Sequence, residues 1–288
     1  MEAFSDLPPY LRTLLLASGL VLLWVLEGLR PLFALPADRR RHAGLNLVLT
    51  LFQLVLGLLL ASMIVVAADF VMDRKIGLLN LVDLPLWLDV LLGVLILDFV
   101  GSYLIHLVEH KVRWMWKFHL IHHTDQYVDV TTGLRHHPGE TVFRSAFGML
   151  AILVGGIPIG TFILYQTISV IFAQFEHANI RLPDGIDRLL SYVFVTPNMH
   201  KVHHHYVQPL TDTNYGNIFS IWDRVFRTYA QVDDPRTLRY GIDTHMDEGE
   251  HNSLSFLLKI PFLPYRPPAG SKFADEAVAK REKDETSD

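Results

Sequence analysis

Long apolar segments are the strongest constraint on how this chain can fold. The segment 43–68 carries no charged residue and exceeds the about 20 residues that a helix needs to cross a bilayer. Two more segments, Leu11–Phe33 and Leu84–Leu107, are apolar except at a few positions such as Asp89 and Asp98. Inside hydrocarbon a single segment satisfies its own backbone polar groups only as a helix. Half of the residues are hydrophobic and the mean hydropathy is +0.27, so we expect an integral membrane protein.

A fourth apolar region extends from Val142 to Glu176 and is interrupted by the sequence Gly155-Gly156-Ile157-Pro158. Gly and Pro in this combination end helices, so the region predicts two short helices that form a hairpin. Whether the hairpin crosses the membrane completely is open at this stage. From Arg181 onward the hydrophobicity falls. The predicted fold is therefore all-α, with about four to five transmembrane or hairpin helices and a cytoplasmic helical cap.

This organisation predicts three regions: an N-terminal transmembrane hairpin over 1–83, a catalytic region over 84–266 and a disordered tail over 267–288. The N-terminus lacks the basic stretch of a secretory signal, so the first apolar segment should be retained as a span. Lys and Arg concentrate in cytoplasmic loops. They are densest in the loop at 30–41 and in the segment 111–117, which puts the N-terminus outside. The lack of cysteine and of an ER-retrieval tail favours a bacterial inner membrane.

Composition also excludes several classes of function. The formal net charge is −5, so the chain lacks the basic surface that nucleic acid requires. It contains no cysteine, which excludes disulfides and thiolate ligands. Any metal must be bound through nitrogen and oxygen, a donor set that suits iron or zinc.

The histidines are the residues that most clearly predict a chemical function. Twelve of the fifteen histidines lie between His106 and His205, in one HxxxH and two HxxHH motifs. Residues three or four apart lie on one face of a helix, so each motif is predicted to direct its imidazoles at a common point. Neutral imidazole is the commonest metal ligand. Nine residues are predicted catalytic metal ligands, enough for two ions: His106, His110, His119, His122, His123, His177, His200, His203 and His204.

The remaining histidines receive other interpretations. His42, His245 and His251 lack partners at helical spacing and are interpreted as polar caps at the membrane interface. His205 lies about 140° around the helix from His200 and should face away from the site. His137, in the sequence His136-His137-Pro138, is a further candidate ligand or a structural residue before proline.

Three acidic residues accompany the histidines. An ionisable residue within a span, such as Asp98, is costly and usually functional. Ser102 and His106 follow Asp98 by four and eight residues, so on an α-helix all three would lie on one stripe. We therefore expect Asp98 to support the metal cluster from the membrane side. Glu109 and Glu176 each precede a candidate ligand, and they either support that ligand or are simply solvated.

Six segments together resemble the fatty acid hydroxylase superfamily, also called the sterol desaturase family. They are HLVEH at 106–110, HLIHH at 119–123, TTGLRHHP at 131–138, FEHANI at 175–180, TPNMHKVHHH at 196–205 and NYGNIFSIWDRVFRTY at 214–229. The resemblance covers roughly 98–229. It implies a membrane-embedded di-iron enzyme that uses dioxygen and two electrons to hydroxylate or desaturate a lipid. It also implies a separate electron donor, such as a ferredoxin, cytochrome b5 or a reductase.

The chain departs from the family pattern at a few positions. Leu107 stands where many members have Arg, and Asp129 stands where many have Asn. Some relatives carry another histidine one turn before the one corresponding to His177, where this chain has Ala173 and Gln174. Gln174 or a water is therefore a candidate for completing the ligand set.

Two other functions compete with this one. His106-Leu-Val-Glu109-His110 matches the HxxEH pattern of a membrane zinc protease, which would leave both HxxHH motifs without a role. A metal transporter or a non-catalytic metal-binding protein is the second alternative, although transporters place their ligands near the bilayer midplane. The sequence leaves open which lipid is the substrate, whether hydroxylation or desaturation results, and the oligomeric state.

Overall fold

The computed structural model describes residues 8–271, and among these residues helices and loops form the fold without a β-sheet. The all-α prediction is confirmed. The first α-helices in chain order are α1 Pro9–Leu29, α2 Arg39–Arg74, α3 Leu86–Asp98, α4 Ile105–Lys111, α5 Arg113–His123, α6 Pro138–Gly155 and α7 Ile159–His177. They are followed by α8 Asp184–Leu190, α9 Pro197–His203, α10 Ile221–Val225, α11 Glu248–His251 and α12 Leu254–Lys259. Most of the predicted tail, from 272 onward, lies outside the described residues.

Within residues 8–271, four helical segments are long and apolar enough to cross a membrane: Tyr10–Leu29, Arg39–Leu81, Leu86–Lys111 and Ile159–His177. They include the three spans predicted from the first apolar segments. Their outward-facing side chains are apolar, as at Leu58, which is 76% exposed. This exposure is expected of surfaces that face lipid.

Helices α6 and α7 form the predicted hairpin, and Gly156 forms its turn with a φ of 73°. The turn packs against Gly77, at the end of the bundle opposite the histidines, and the side-chain amide of Asn80 donates to the carbonyl of Gly156. The hairpin therefore reaches the same far end as α2 and α3. The sequence left this point open.

The third span is interrupted where the metal motif begins. A π-helical segment, Phe99–Leu104, separates α3 from α4. A π-turn contains more residues than an α-turn, so counting by fours from Asp98 fails. Asp98, Ser102 and His106 are all buried, yet they bind different partners. The π-helical segment therefore interrupts the regular i, i+4 series from which the single stripe was predicted.

The N-terminal end of α2 extends into the cap. Its 36 residues correspond to about 54 Å of helix, longer than the about 30 Å hydrocarbon layer. The side chain of Asn46 donates to Thr131 and accepts from the buried guanidinium of Arg135. Leu49 packs with Trp116 and Leu120 of α5 in one apolar cluster of the cap. These contacts fix α5, which carries three candidate ligands, against the transmembrane bundle.

Candidate metal centre

The nine predicted ligands come together in two adjacent groups. His106, His110, His119, His123 and His203 form one group, here called the five-histidine set. His122, His177, His200 and His204 form the other, the four-histidine set. Within each group the facing nitrogen atoms all lie within 4.8 Å of one another, and every member is buried. The role of these residues as metal ligands remains a prediction.

Each HxxHH motif contributes to both sets, which corrects the expectation that each motif aims at one point. On α5, His119 and His123 point into the five-histidine set and His122 into the four-histidine set. The segment at 200–204 does the reverse, because His203 alone joins the five-histidine set. Successive residues on a helix lie about 100° apart, so two adjacent histidines can face two different ions.

Local sequence explains why the second motif is helical at this place. Thr196 caps α9 by accepting a hydrogen bond from the backbone N–H of Met199, and Pro197 occupies the first turn. The side-chain amide of Asn214 donates to the carbonyl of Met199, which ties α9 to the loop that follows it. The positions of His200 and His203 thus follow from the start of the helix.

Hydrogen bonds determine which nitrogen of several rings carries the proton. In the five-histidine set, Nδ1 of His106 lies 2.9 Å from the carbonyl of Tyr215, and Nδ1 of His203 lies 2.7 Å from the carbonyl of Thr213. Nδ1 of His119 lies 3.0 Å from Glu140. Since each acceptor is a carbonyl or carboxylate oxygen, each Nδ1 must donate. Each Nε2 therefore presents a lone pair to the centre of the set.

The Nε2 atoms of each set face one another at short distances. Nε2 of His106 and Nε2 of His119 are 3.1 Å apart, although both lack a proton. In the four-histidine set, Nε2 of His177 lies 3.0 Å from that of His200 and 3.1 Å from that of His122. Ligands at about 2.0–2.1 Å from one ion are about 2.8–3.4 Å apart when the angle between them at the metal is between 90° and the tetrahedral value. A cation between the rings would turn the repulsion between His106 and His119 into coordination, and the similar nitrogen–nitrogen distances in the four-histidine set also fit a metal ion.

Burial keeps these imidazoles neutral and available to a metal. It lowers the pKa of His119 to about 3 despite the neighbouring Glu140. Burial also holds the pKa well below the ordinary histidine value in the other candidate ligands outside the membrane-spanning helices, which are His122, His123, His200, His203 and His204. A neutral ring is the form that binds metal.

Acidic groups support the five-histidine set from two sides. Glu140 accepts from His119 and from Arg144, and Arg144 also binds Glu109 at 2.7 Å. On the other side, Nδ1 of His110 donates to Asp212 at 3.1 Å. Burial raises the pKa of Asp212, but the donors His110 and Lys111 outweigh it and hold this pKa below its ordinary range. Such carboxylates orient metal-binding imidazoles.

Glu109 and Glu176, for which the sequence allowed two interpretations, are both buried rather than solvated. Glu109 lies 3.7 Å from Nδ1 of His119. Glu176 lies 3.7 Å from Nδ1 of His177 and 3.9 Å from Nδ1 of His200. These positions favour a role in supporting the histidines.

Three other candidates lie away from both sets. His137 caps α6 by accepting from the backbone N–H of Gly139, and its Nε2 lies 3.3 Å from the carbonyl of Leu258. The amide of Gln174 donates to the carbonyl of Leu16 in α1. Asp98 accepts hydrogen bonds from the backbone N–H groups of 218 and 219 and from the indole of Trp222. It thus fixes the loop that contains Tyr215 rather than touching a ligand.

His136, rather than His137, is the histidine of this pair that joins the site. Its ring stacks on that of His122, with centroids 4.3 Å apart, and its Nδ1 lies 3.0 Å from Glu140. His136, His119 and Glu140 form a third group of potential ligand atoms. Sequence reasoning missed His136, although its spacing of four residues from Glu140 was a usable signal.

The three histidines interpreted as polar caps are instead buried, so that interpretation is wrong. Nε2 of His42 lies 2.8 Å from Asp125, directly after α5, and His42 thereby joins α2 to the metal-binding region. His205 does face away from both sets: its ring packs on Tyr206 and accepts from the backbone N–H of Arg239.

Comparison with known proteins agrees with this geometry. Residues 90–228 match the model of the family described as fatty acid hydroxylase, and this match contains all nine histidines. Residues 90–228 are a fatty acid hydroxylase domain. The resemblance recognised in the sequence is therefore confirmed, and the domain begins in α3 and ends just after α10.

Relatives of this fatty acid hydroxylase domain are lipid-modifying enzymes. Ornithine lipid hydroxylase OlsE of Rhizobium tropici is 29% identical over 57% of this chain and 49% of its own length. Alkylglycerol monooxygenase of Caenorhabditis elegans is 31% identical over 50% of this chain and 27% of its own. A cholesterol 25-hydroxylase-like protein of Danio rerio is 27% identical over 43% and 48%. The chain thus spans half or less of each relative. No solved structure shows significant similarity to it.

Proposed function

We propose that this protein is a membrane-embedded di-iron oxygenase that hydroxylates a C–H bond of a lipid, using dioxygen and two electrons from a separate donor. The observation that carries the proposal is the convergence of buried imidazole Nε2 atoms, 3.0–3.2 Å apart, in two adjacent histidine sets. An all-nitrogen donor set of this kind suits iron. Hydroxylation is favoured over desaturation because the relatives are named hydroxylases and monooxygenases.

The histidines, the carboxylates and the apolar surfaces of the chain would have different roles in this reaction. The nine histidines would hold two iron ions, which when bound supply activation of dioxygen and removal of a hydrogen atom from an unactivated C–H bond. Glu140 and Asp212 orient His119 and His110 through their Nδ1 protons. The apolar surfaces of the spanning helices lead lipid to the end of the bundle where the histidines lie.

The nature of the relatives' substrates supports a lipid with a polar head group. Their names refer to an ornithine lipid, alkylglycerol and cholesterol, each of which combines an apolar body with a polar end. Such a molecule lies with its polar end near the interface. The histidine sets also lie where the apolar helices α4 and α7 end. We place this end on the cytoplasmic face of a bacterial inner membrane, because Lys and Arg concentrate there.

The test combines metal analysis with comparative lipidomics of cells that contain or lack the protein. Two irons per chain and a lipid that gains one oxygen atom are expected. Replacing both His122 and His123 by Ala should abolish the new lipid and lower the iron content. His205→Ala is the matched control, since this ring lies next to the motif but faces away. Unchanged lipids in cells with the iron-loaded protein and its donor would overturn the proposal.

The protease alternative makes a different prediction for the same measurements. It needs one zinc per chain and a free Glu109 as the catalytic base. In the structure Arg144 binds Glu109 at 2.7 Å, and both histidines of the motif share a set with three others. One zinc, peptide hydrolysis and an unchanged lipid profile would favour the protease.

A further inference from the structure

A buried tryptophan touches the five-histidine set from outside. Trp116 lies three residues before His119 on α5 and is 3% exposed. Its ring centroid is 4.7 Å from that of His110 and 5.3 Å from that of His123. The indole is therefore in contact with two rings of the five-histidine set.

Tyr265 lies between this indole and the protein surface. Tyr265 packs against the apolar cluster that contains Trp116, and the side chains of Trp116 and Ser271 lie close enough to its hydroxyl to act on its pKa. Tyr265 in turn lines a surface cleft of about 270 Å³, together with Lys117, Phe256 and Arg266. The two aromatic side chains thus form a continuous connection from the cleft to His110 and His123.

The rim of this cleft is basic. Lys117 and Arg266 line it, and Arg113 lies close enough to act electrostatically on both Lys117 and Tyr265. Among residues 8–271, Glu250 is the acidic side chain that lines it, and Glu250 is paired with Arg266 at 2.8 Å. Complementary charge steers a partner to such a surface and raises its association rate. An acidic protein is the partner that this cleft fits.

We propose that a small acidic one-electron carrier protein docks at this cleft, and that Tyr265 and Trp116 conduct its electrons to the five-histidine set. This inference rests on the proposed function. Each hydroxylation inserts one oxygen atom of O₂ into a C–H bond and reduces the other to water, consuming two electrons and two protons. Two carrier molecules are each oxidised by one electron. The aromatic rings are not consumed, because they only shorten the tunnelling steps through the protein.

The direct test measures the reduction of iron in the full-length, iron-loaded protein in detergent micelles without oxygen. Reduced [2Fe–2S] ferredoxin is the probe, and stopped-flow absorption follows the loss of ferric iron. Trp116→Leu should slow this reaction at least about tenfold, which corresponds to about 1.4 kcal/mol. Trp114→Leu is the matched control: Trp114 lies on the same helix, is 56% exposed and packs on Phe143, away from the histidines.

Iron content is measured for each variant to separate conduction from folding. An unchanged rate in Trp116→Leu at full iron content would overturn the inference. If that variant loses iron, Trp116→Phe and Tyr265→Leu replace it, and wild-type rates in both would also overturn it. A slower reaction in Tyr103→Leu alone would assign conduction to the other aromatic series, which reaches the histidines through Tyr215, and would overturn it as well.

Substitutions that remove positive charge from the cleft test whether the carrier docks there. In the double variant Lys117→Gln, Arg266→Gln the bimolecular rate with ferredoxin should fall and depend less on salt. The reaction with dithionite, a small reductant, should be affected less. Arg74→Gln, at the opposite end of the bundle, is the control and should leave the ferredoxin rate unchanged. Equal salt dependence in the double variant and the wild type would contradict docking at the cleft.

One further measurement separates this inference from the proposed function. The enzyme is reduced with dithionite, freed of reductant and given O₂ and lipid extract. A lipid that gains an oxygen supports the proposed function whatever the ferredoxin rates show. If that product forms while Trp116→Leu accepts electrons from ferredoxin at the wild-type rate, the electron path alone is wrong.

Discussion

Asp98 is a carboxylate buried in the apolar bundle, and its role is to hold a loop. Its two oxygens accept from the backbone N–H groups of 218 and 219, at 3.3 and 3.2 Å, and from the Trp222 indole at 2.9 Å. The same loop supplies the Tyr215 carbonyl that orients His106. Asp98 therefore influences the five-histidine set through this loop.

Replacing Asp98 by Ala should destabilise the protein and weaken metal binding at the five-histidine set. A buried donor left without a partner costs about 1–3 kcal/mol, and this variant leaves three. Denaturant titration in detergent measures the stability, and metal titration measures the affinity. Asp89→Ala, in the same helix but partly exposed, is the control and should change both much less. Equal losses in the two variants would contradict the anchoring role.

At the level of single residues, the sequence predicted which histidines converge but only some of their supporting partners. Helical spacing was enough to select eight of the nine residues of the two sets, and His177 lies outside those motifs. Asp212 and Tyr215 are remote in sequence from His110 and His106, so no spacing rule could associate them. His42 was misread for the same reason, because its partner Asp125 lies 83 residues away.

At the level of helices, the turn between α6 and α7 depends on two glycines. Gly156 has a φ of 73° and Gly77 a φ of 100°, a region that side chains disfavour. A Cβ on Gly156 would lie 2.5 Å from the carbonyl oxygen of Ile76, and one on Gly77 would lie 2.2 Å from the backbone nitrogen of Gly156. The close approach of these two segments holds the hairpin against the end of α2.

Gly156→Ala should therefore destabilise the hairpin. Backbone strain alone costs about 1–3 kcal/mol, and the clash with Ile76 adds to it. Thermal unfolding in detergent checks this expectation. Gly44→Ala is the matched control, because a Cβ there meets nothing within 4 Å and alanine favours a helix. If Gly156→Ala is as stable as Gly44→Ala, the tight contact does not contribute to stability.

Apolar length and Gly/Pro punctuation predicted the spans and the hairpin, because a bilayer allows few alternatives. The π-helical segment at 99–104 was beyond such reasoning. Its sequence, Phe-Val-Gly-Ser-Tyr-Leu, has no helix-breaking proline, and tertiary contacts select its geometry. One of these contacts joins Ser102 to the hydroxyl of Tyr165 in α7 at 2.6 Å.

At the level of the whole molecule, buried ionic and polar contacts join the N-terminal helices to the metal-binding region. Glu27 of α1 accepts from the backbone N–H groups of Val130 and Asn179 at 2.7 and 2.6 Å, and it pairs with Arg39 of α2. These contacts connect α1 and α2 to segments that flank the ligands. The division of the chain near residue 83 remains a prediction.

The buried histidines should make the metal-free protein sensitive to acid. In the folded state burial lowers the pKa of His119 to about 3, whereas an unfolded histidine titrates near 6.5. Below about pH 6.5 the unfolded chain takes up protons that the folded chain excludes, so the free energy of unfolding should fall as the pH decreases toward 3. Each such histidine contributes about 1.4 kcal/mol per pH unit.

His204→Gln should reduce this dependence of the free energy of unfolding on pH by about the contribution of one histidine, and His205→Gln, whose ring is only partly buried, should reduce it less. Denaturant titrations of the metal-free protein between pH 5 and 7 test this linkage, and a slope that does not respond to His204→Gln would contradict it.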